Sequence, residues 1–364
     1  MPRRDIHDKP FTAETITKLK IFEEYLKTWL PVFIHGEYDE INICDFFAGC
    51  GKDRKGIQGS PLRIISVLDA YRGNIASKKI KINVLLNEFN PEKYLELQKE
   101  TNALMNEKKI SGLVTVEYYN QQFKDLFNNK KSTLKNKANL FFLDQNGIKE
   151  ISNDIFQEII RFKTTDFLFF ISSSYIRRFA NDPAFCSYLP GIDVEKIKSV
   201  RYYDIHRILV DNYKQRIPEN NTTKLYPFTI KKGQRVYGLV FGTKHILGAD
   251  KFLHLVWKEN ELNGEANFDI DNDENIQTNF FEPPRLTKIE AFQKELKEYL
   301  LSRKSFTNGE IYEYTLQKGH IPTHAVELLR TLKEEQKIDY DKTPNISYNK
   351  VYKHKDIKTF QVLT

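Results

Sequence analysis

From residue 41 to residue 171, short apolar runs alternate with longer stretches whose apolar residues recur at helical spacing. The runs lie at 41–47, 80–86, 113–119, 139–143 and 166–171, and their length and apolar content predict five strands. Between them, the segment 61–71 carries Leu62, Ile65 and Leu68 on one side, and 91–107 opens with Pro91 at a first helical position. This alternation marks an α/β sheet built from βα units, and the connections are long enough for right-handed crossovers, so the strands should run parallel. The pattern then changes. Residues 226–231 and 235–243 alternate in strand fashion around Lys232-Gly233-Gln234, which predicts an antiparallel hairpin at the far edge, and 247–257 reads as a helix.

Between Lys258 and Glu274 the chain carries seven acids (Glu259, Glu261, Glu265, Asp269, Asp271, Asp273, Glu274) and a single Lys, and Pro283-Pro284 follows. This reads as an acidic, solvated linker. Beyond it Ile289, Phe292, Leu296 and Leu300 form one helical stripe, Ile311 and Tyr314 mark a second helix, and Ala325, Leu328, Leu329 and Leu332 a third. Asn308-Gly309 and Gly319-His320-Ile321-Pro322 separate them, and strand candidates follow at 337–340 and 346–352. Three helices and then two strands is the order of a winged helix-turn-helix. The expected domains are therefore an α/β domain over 1–258 with a helical lead-in over 1–38, a linker over 259–284, and a winged helix-turn-helix over 285–364.

Composition narrows the classes. The 364 residues are 40% hydrophobic and 13% aromatic, enough for a sizeable core, and 16 Gly with 13 Pro excludes a low-complexity chain. No run approaches the ~18 consecutive apolar residues of a membrane span, and Met1-Pro2-Arg3-Arg4-Asp5 lacks a secretory signal's apolar run, so a cytoplasmic protein without membrane contact is expected. Cys44, Cys50 and Cys186 have no metal-ligand spacing, and the eight His show no His-Glu-x-x-His pattern, so no metal is expected. The net charge of +7 is a small excess, but it is unevenly placed: from Lys337 onward six Lys (337, 342, 350, 353, 355, 358) face three Asp (339, 341, 356). Positive charge gathered at that end suits nucleic acid.

Ligands on open parallel sheets bind where loops leave the C-terminal strand ends. The first such loop is Asp45-Phe46-Phe47-Ala48-Gly49-Cys50-Gly51. Its glycines let the backbone turn tightly against a ligand. A phosphate loop would continue with Gly-Lys-Ser/Thr, whereas Gly51-Lys52 precedes Asp53; an adenosyl ligand without phosphates fits better. Glu88, at the end of the second strand, is placed to accept both hydrogen bonds of a ribose diol. Asn120, after the third, either pairs with an adenine edge or starts a turn. Asp144, after an apolar fourth strand, either faces the crevice, holding an amine, or makes an Asx-turn. Ser172-Ser173-Ser174-Tyr175 and Arg177-Arg178 form a polar loop suited to the same cleft.

The run Asp45 to Gly51, followed by Gly59-Ser60-Pro61-Leu62, resembles the bacterial three-Cys-motif partner proteins (TcmP), and the likeness continues at Phe142-Leu143-Asp144, at 166–172 and in the C-terminal region. More distantly the chain is similar to the family that methylates adenine N6 in large-subunit ribosomal RNA, which shares the Gly-Ser-Pro-Leu run and the pattern of Glu88-Phe89-Asn90-Pro91. The resemblance implies a Rossmann-like methyltransferase sheet, mostly parallel with an antiparallel last strand, plus a C-terminal winged helix-turn-helix. It also implies S-adenosylmethionine as cofactor, held by Asp45, Phe46, Gly49, Gly51, Ser60, Glu88, Asn120 and Asp144, with Asp144, Gln145 and Asn146 at the catalytic position. Amino-methyltransferases follow this acidic position with Pro-Pro-aromatic, and partner families with Pro-aromatic-Gly; here Gln145-Asn146-Gly147 stands instead. Either the amides replace the base clamp or transfer has been lost. The leading expectation is a methyltransferase acting on a base exocyclic amine of DNA or RNA. In it His324, Arg330, Lys333 and Lys337, on or after a helix over 323–336, and Lys350 and Lys353 would contact the nucleic acid; an ordinary solvated or protein-docking face is the alternative. The other expectation is an accessory subunit working with a three-Cys-motif partner typical of radical enzymes.

Overall fold

The computed structural model describes residues 10–145, 150–182, 191–232, 235–275 and 285–363. It divides into two units, Met1–His245 and Ile246–Thr364. In the first, β1 (Glu40–Asp45), β2 (Lys81–Asn87), β3 (Val114–Tyr119), β4 (Ala138–Leu143) and β5 (Thr164–Ser172) are joined by parallel pairings. β7 (Arg235–Thr243) pairs antiparallel with β5, and β6 (Lys224–Lys232) closes the edge antiparallel to β7. The order is β3-β2-β1-β4-β5-β7-β6. This is the mostly parallel Rossmann-like methyltransferase sheet with a reversed last strand that the resemblance implies. The chain moves outward from β1 to β3 and then restarts beside β1 with β4, so the crevice of the switch point opens over the C-terminal ends of β1 and β4.

Side chains that alternate along a strand separate the two faces of this sheet. Phe142 of β4 stacks on Phe22 of α1 (Ala13–Ile34) with ring centroids 4.3 Å apart, and Tyr25 meets Phe241 of β7 edge-on at 4.7 Å. Helix α1 buries Phe22, Tyr25, Leu26, Trp29 and Leu30, the spacing of a single helical face. Phe141 points the other way, into a cluster with Phe46, Phe162 and, from the helix Phe123–Leu134, Phe127. Near the start of the parallel strands a row of amides crosses the sheet in register: Asn83 donates to Asn42 and Asn42 to Asn139, each at 3.0 Å, and Asn139 donates to Thr165 at 2.9 Å. Each buried amide thereby finds a partner in the next strand, which burial requires.

The second unit contains the helices Ile246–Glu259, Lys288–Leu301, Asn308–Gln317 and Pro322–Glu334. A small antiparallel sheet is ordered β8 (Ser305–Thr307), β10 (Thr359–Val362), β9 (Ile338–Asp339). Thr287 with Glu290 and Thr307 with Glu310 make capping boxes that fix two of the helix starts. The result is a winged helix-turn-helix.

Three expectations change here. The helix Ile246–Glu259, placed at the end of the first domain by the sequence pattern, belongs to the second unit. The acidic segment after it is not a solvated linker over residues 260–275. Asn263, Ala266 and Ile270 are buried, and the Asn260 amide bonds the carbonyls of Ala266 and Phe268 at 2.9 and 3.0 Å. Gly264, in the left-handed region at φ 54°, lies so close to Trp257 that a Cβ would sit 2.4 Å from its ring. Several of the acids are drawn in with them: Asp273 pairs with Arg285, Glu265 with Lys288 at 2.8 Å, and Asp269 accepts the N–H groups of Asp273 and Glu274, each at 2.8 Å. Finally, 346–352 is not a strand. Tyr348 and Tyr352 stack at helical spacing within a wide turn at Asn349–Lys353, and the wing strand comes later, at β10, where Phe360 is fully buried.

Candidate functional site

Asp45, the last residue of β1, is fully buried. One of its oxygens accepts the Phe47 N–H at 3.2 Å, while Oδ2 is buried without a hydrogen-bond partner. Burial pushes its carboxyl up to about 7 against the pull of the Ser60 hydroxyl and the Phe47 N–H, and the neighbouring charges of Asp144 and Glu88 add to the rise. Three acids from three strand ends thus converge on one place.

The loop beyond Asp45 turns through Gly49 at φ 66° and Gly51 at φ 93°, conformations that L side chains rarely adopt. Gly59 donates its N–H to the Gly51 carbonyl at 2.7 Å, and a Cβ on Gly59 would sit 2.9 Å from that oxygen, so the approach requires glycine. Gly59 caps α2 (Ser60–Ala70), with Pro61 in its first turn.

Glu88 follows β2. Its Oε2 accepts the Gly49 N–H at 3.0 Å and its Oε1 the Asn90 N–H at 2.7 Å. Asn87, which sequence reasoning passed over, fastens the neighbourhood: its amide donates to the carbonyls of Phe46 and Gln121, each at 3.1 Å, and it accepts the Gln121 N–H at 3.2 Å. Asn120 donates to the carbonyls of Glu88 and Phe89 at 2.7 and 2.9 Å. It acts on the Glu88 loop as a fastener, and its NH₂ group is spent on backbone rather than turned to an adenine edge.

Phe47, Ala48, Cys50, Gly51, Gly59, Ser60 and Asp144 line a narrow cleft that opens to solvent. Phe11, just before α1, and Thr15 and Leu19 in its first turns also line it. Asp53 ties that segment to the loop by accepting the Phe11 N–H at 2.7 Å and the Ile57 N–H at 2.8 Å. Phe46 is a correction among the expected cofactor contacts. Its ring is fully buried against Phe123 and Phe141 in the core, and Phe47 faces the cleft.

At the end of β4, Asp144 bonds the ammonium of Lys18 from α1. Gln145 is buried; its Oε1 accepts the N–H groups of Glu150 and Ile151 at 3.0 and 3.3 Å, and its Nε2 is buried without a partner. The amide carbonyl therefore caps its own loop. Asn146 lies outside the described residues, as does Cys186. Cys44 and Cys50 are free and buried, and among the described residues no group of three or more His, Cys, Asp or Glu could hold a metal ion. No helix among them is long and apolar enough to cross a membrane.

In the second unit Arg330, Lys350 and Lys353 are exposed. Lys333 bonds the Tyr340 carbonyl and pairs with Asp339, and Lys337 pairs with Glu335 at 2.6 Å. His324, expected on an exposed face, is only 7% exposed. Its Nδ1 lies 3.1 Å from that of His320, and both rings pack against Trp257. Its apolar surroundings bury it where the helix pattern alone would have left it outside.

The GMT-like wHTH domain family matches residues 267–345. No curated protein matches the chain. Solved structures to which it is similar include the O-methyltransferase TomG from Streptomyces achromogenes with SAM, at 11% identity and TM-score 0.32 over 64% of this chain and 90% of that one. TYW2 from M. jannaschii with AdoMet shares 10% identity at TM-score 0.31 over 65% of this chain and 78% of that one. CrArsM, an arsenic(III) S-adenosylmethionine methyltransferase from Chlamydomonas reinhardtii, shares 12% at TM-score 0.32 over 56% and 63%. Likeness at this level carries no weight for activity; the fold stands on the strand order itself.

Proposed function

We propose that the first unit binds S-adenosylmethionine in the cleft over β1 and β4 and transfers its methyl group to a base exocyclic amine of DNA or RNA, which the winged helix-turn-helix docks. The observation that carries this reading is the bond from the Gly49 N–H to Glu88, which draws the glycine bend and the acid of the next strand into one cradle. A carboxylate oxygen already accepting one N–H keeps a lone pair for a hydroxyl, so Glu88 can still receive a ribose diol. The glycine geometry fits a nucleoside without phosphates. When bound, the cofactor supplies a methyl group already activated on a sulfonium. The chain then has to align the acceptor and exclude water. Asp144, lining the cleft, accepts the amine N–H and takes the proton it releases.

A second reading, an accessory subunit working with a three-Cys-motif partner, is favoured by one observation. Gln145, standing where amino-methyltransferases have Pro, turns its carbonyl onto its own loop and offers no base clamp. Calorimetry with S-adenosylmethionine and a tritium-transfer assay on DNA and RNA separate the two. Cofactor binding with label incorporation that Asp144→Ala abolishes supports the enzyme. Binding without incorporation on any nucleic acid supports the accessory role.

A further inference from the structure

Lys18 leaves the face of α1 to bond the Asp144 carboxylate, and its Nζ lies 4.4 Å from the centroid of the Phe170 ring on β5. Its side chain is 7% exposed, against 26% for Asp144. Phe170 in turn stacks on Tyr237 of β7, with centroids 5.3 Å apart and ring planes 21° apart. Three adjacent strands thus contribute a carboxylate, an aromatic face and a second ring behind that face. Ordering a lysine side chain costs up to ~2 kcal/mol of rotamer freedom, so the two contacts must hold it in place.

Those contacts are an N–H into a carboxylate and a positive group on a ring face. An amino group carried by a flat ring would satisfy the same surface, with N–H into Asp144 and ring upon ring on Phe170. Lys18 itself, as an ammonium bonded to a carboxylate, has no lone pair with which to accept a methyl group. It fills the place without being able to react. Gln145-Asn146-Gly147 provides no aromatic residue, whereas β5 and β7 do.

Building on the methyl-transfer reading, we propose that Asp144 and the stacked rings of Phe170 and Tyr237 form the acceptor subsite for an aromatic amine, with Lys18 a built-in occupant that the acceptor displaces. Lys18 then determines how readily an acceptor enters, and removing its ammonium opens the subsite.

The test uses the full chain and a single-stranded oligonucleotide with one 2-aminopurine, an amine-bearing base whose fluorescence falls when it stacks. Titrations with and without S-adenosylhomocysteine compare the wild type, Lys18→Met and Phe170→Leu, with cofactor affinity measured by calorimetry on each. Lys18→Met, which keeps the alkyl stem, should quench at roughly tenfold lower protein concentration, the equivalent of one charge-assisted hydrogen bond no longer displaced. Phe170→Leu should lose the quenching while cofactor affinity stays unchanged. Normal cofactor binding with quenching that Lys18→Met leaves unchanged or weakens, or with no quenching in any of the proteins, overturns the subsite and leaves the cofactor reading standing. Absent cofactor binding sinks that reading instead, while the same ordering of the proteins in quenching would still support the subsite. Should Phe170→Leu fail to fold, the direction of the Lys18→Met shift decides alone.

Discussion

Glu88 and Gly49, 39 residues apart in sequence, meet where Glu88 Oε2 accepts the Gly49 N–H at 3.0 Å. The other oxygen holds the Asn90 N–H at 2.7 Å, so the carboxylate is aimed from both sides before any ligand arrives. Glu88→Gln replaces one acceptor oxygen by a donor and removes the charge. A charge-assisted hydrogen bond contributes roughly 1.5–3 kcal/mol, so S-adenosylhomocysteine affinity measured by calorimetry should fall by about ten- to a hundredfold. The melting temperature should fall with it, because Gln has one acceptor oxygen for the two N–H groups that Glu88 holds. An unchanged affinity would remove Glu88 from the ribose site.

Asp45 carries a different signature. Burial raises its carboxyl from the usual carboxylate range to about 7, so the folded state keeps a proton that the unfolded state releases. Folding is therefore increasingly disfavoured as pH rises from about 4 to about 7, and the penalty is constant above that. Its ceiling is on the order of 4 kcal/mol. Asp45→Asn keeps an acceptor for the Phe47 N–H but cannot ionise. Urea denaturation of both proteins between pH 4 and 8 should show the variant gaining stability on the wild type across that window and then levelling off. A difference that does not vary with pH would mean that Asp45 is not buried as an acid.

The parallel strands were legible in the sequence because the central ones are apolar on both faces, as Phe141 and Phe142 illustrate by packing on opposite sides of β4. The glycine bend and Glu88 were legible because strand ends are where such chemistry must sit. Which of Phe46 and Phe47 enters the core was not, since a loop has no fixed period. Nor was the meeting of Lys18 with Asp144, 126 residues away; a lone lysine on an amphipathic helix gives no sign of a distant carboxylate. The acidic segment misled because its acids find distant partners, Asp273 in Arg285 and Glu265 in Lys288, while Asn263 and Ala266 between them are buried. Residues 346–352 misled because an alternation of large side chains fits a strand as well as it fits the stacked Tyr348 and Tyr352 of a turn.

His320 and His324 should make the second unit acid-sensitive. Their Nδ1 atoms are 3.1 Å apart, so one ring donates and the other accepts, which requires at least the accepting ring to be neutral. Burial, reinforced by the Lys288 ammonium, lowers them to about 2 and about 4. Below about pH 6.5 the unfolded chain takes up protons that the folded one refuses, and stability falls by up to ~1.4 kcal/mol per pH unit for each ring. Trp257 touches both rings and is one of two Trp in the chain. In a Trp29→Phe background its fluorescence reports this unit alone. The urea midpoint should drop between pH 7.5 and pH 5, and His324→Gln should flatten that dependence by about one proton. A midpoint insensitive to pH would mean that the pair is not sealed from solvent.

If the winged helix-turn-helix docks nucleic acid, its lysines should not contribute equally. Lys350 and Lys353 sit on the turn Asn349–Lys353 with exposed side chains. Lys333 and Lys337 are held by Asp339 and Glu335, and each would have to leave an acid before reaching a phosphate. Replacing Lys350 and Lys353 together by Ala should weaken oligonucleotide binding uniformly across sequences and lower the slope of log affinity against log salt by about two, one for each phosphate no longer neutralised. Replacing Lys333 and Lys337 should change the slope less, because each of these lysines is already neutralised by an acid and reaches a phosphate only by surrendering that ion pair. Fluorescence anisotropy at several salt concentrations distinguishes the pairs. Equal slopes for both double variants would show that the exposed turn is not the docking surface, and a salt-independent affinity would turn the unit into a protein-docking module.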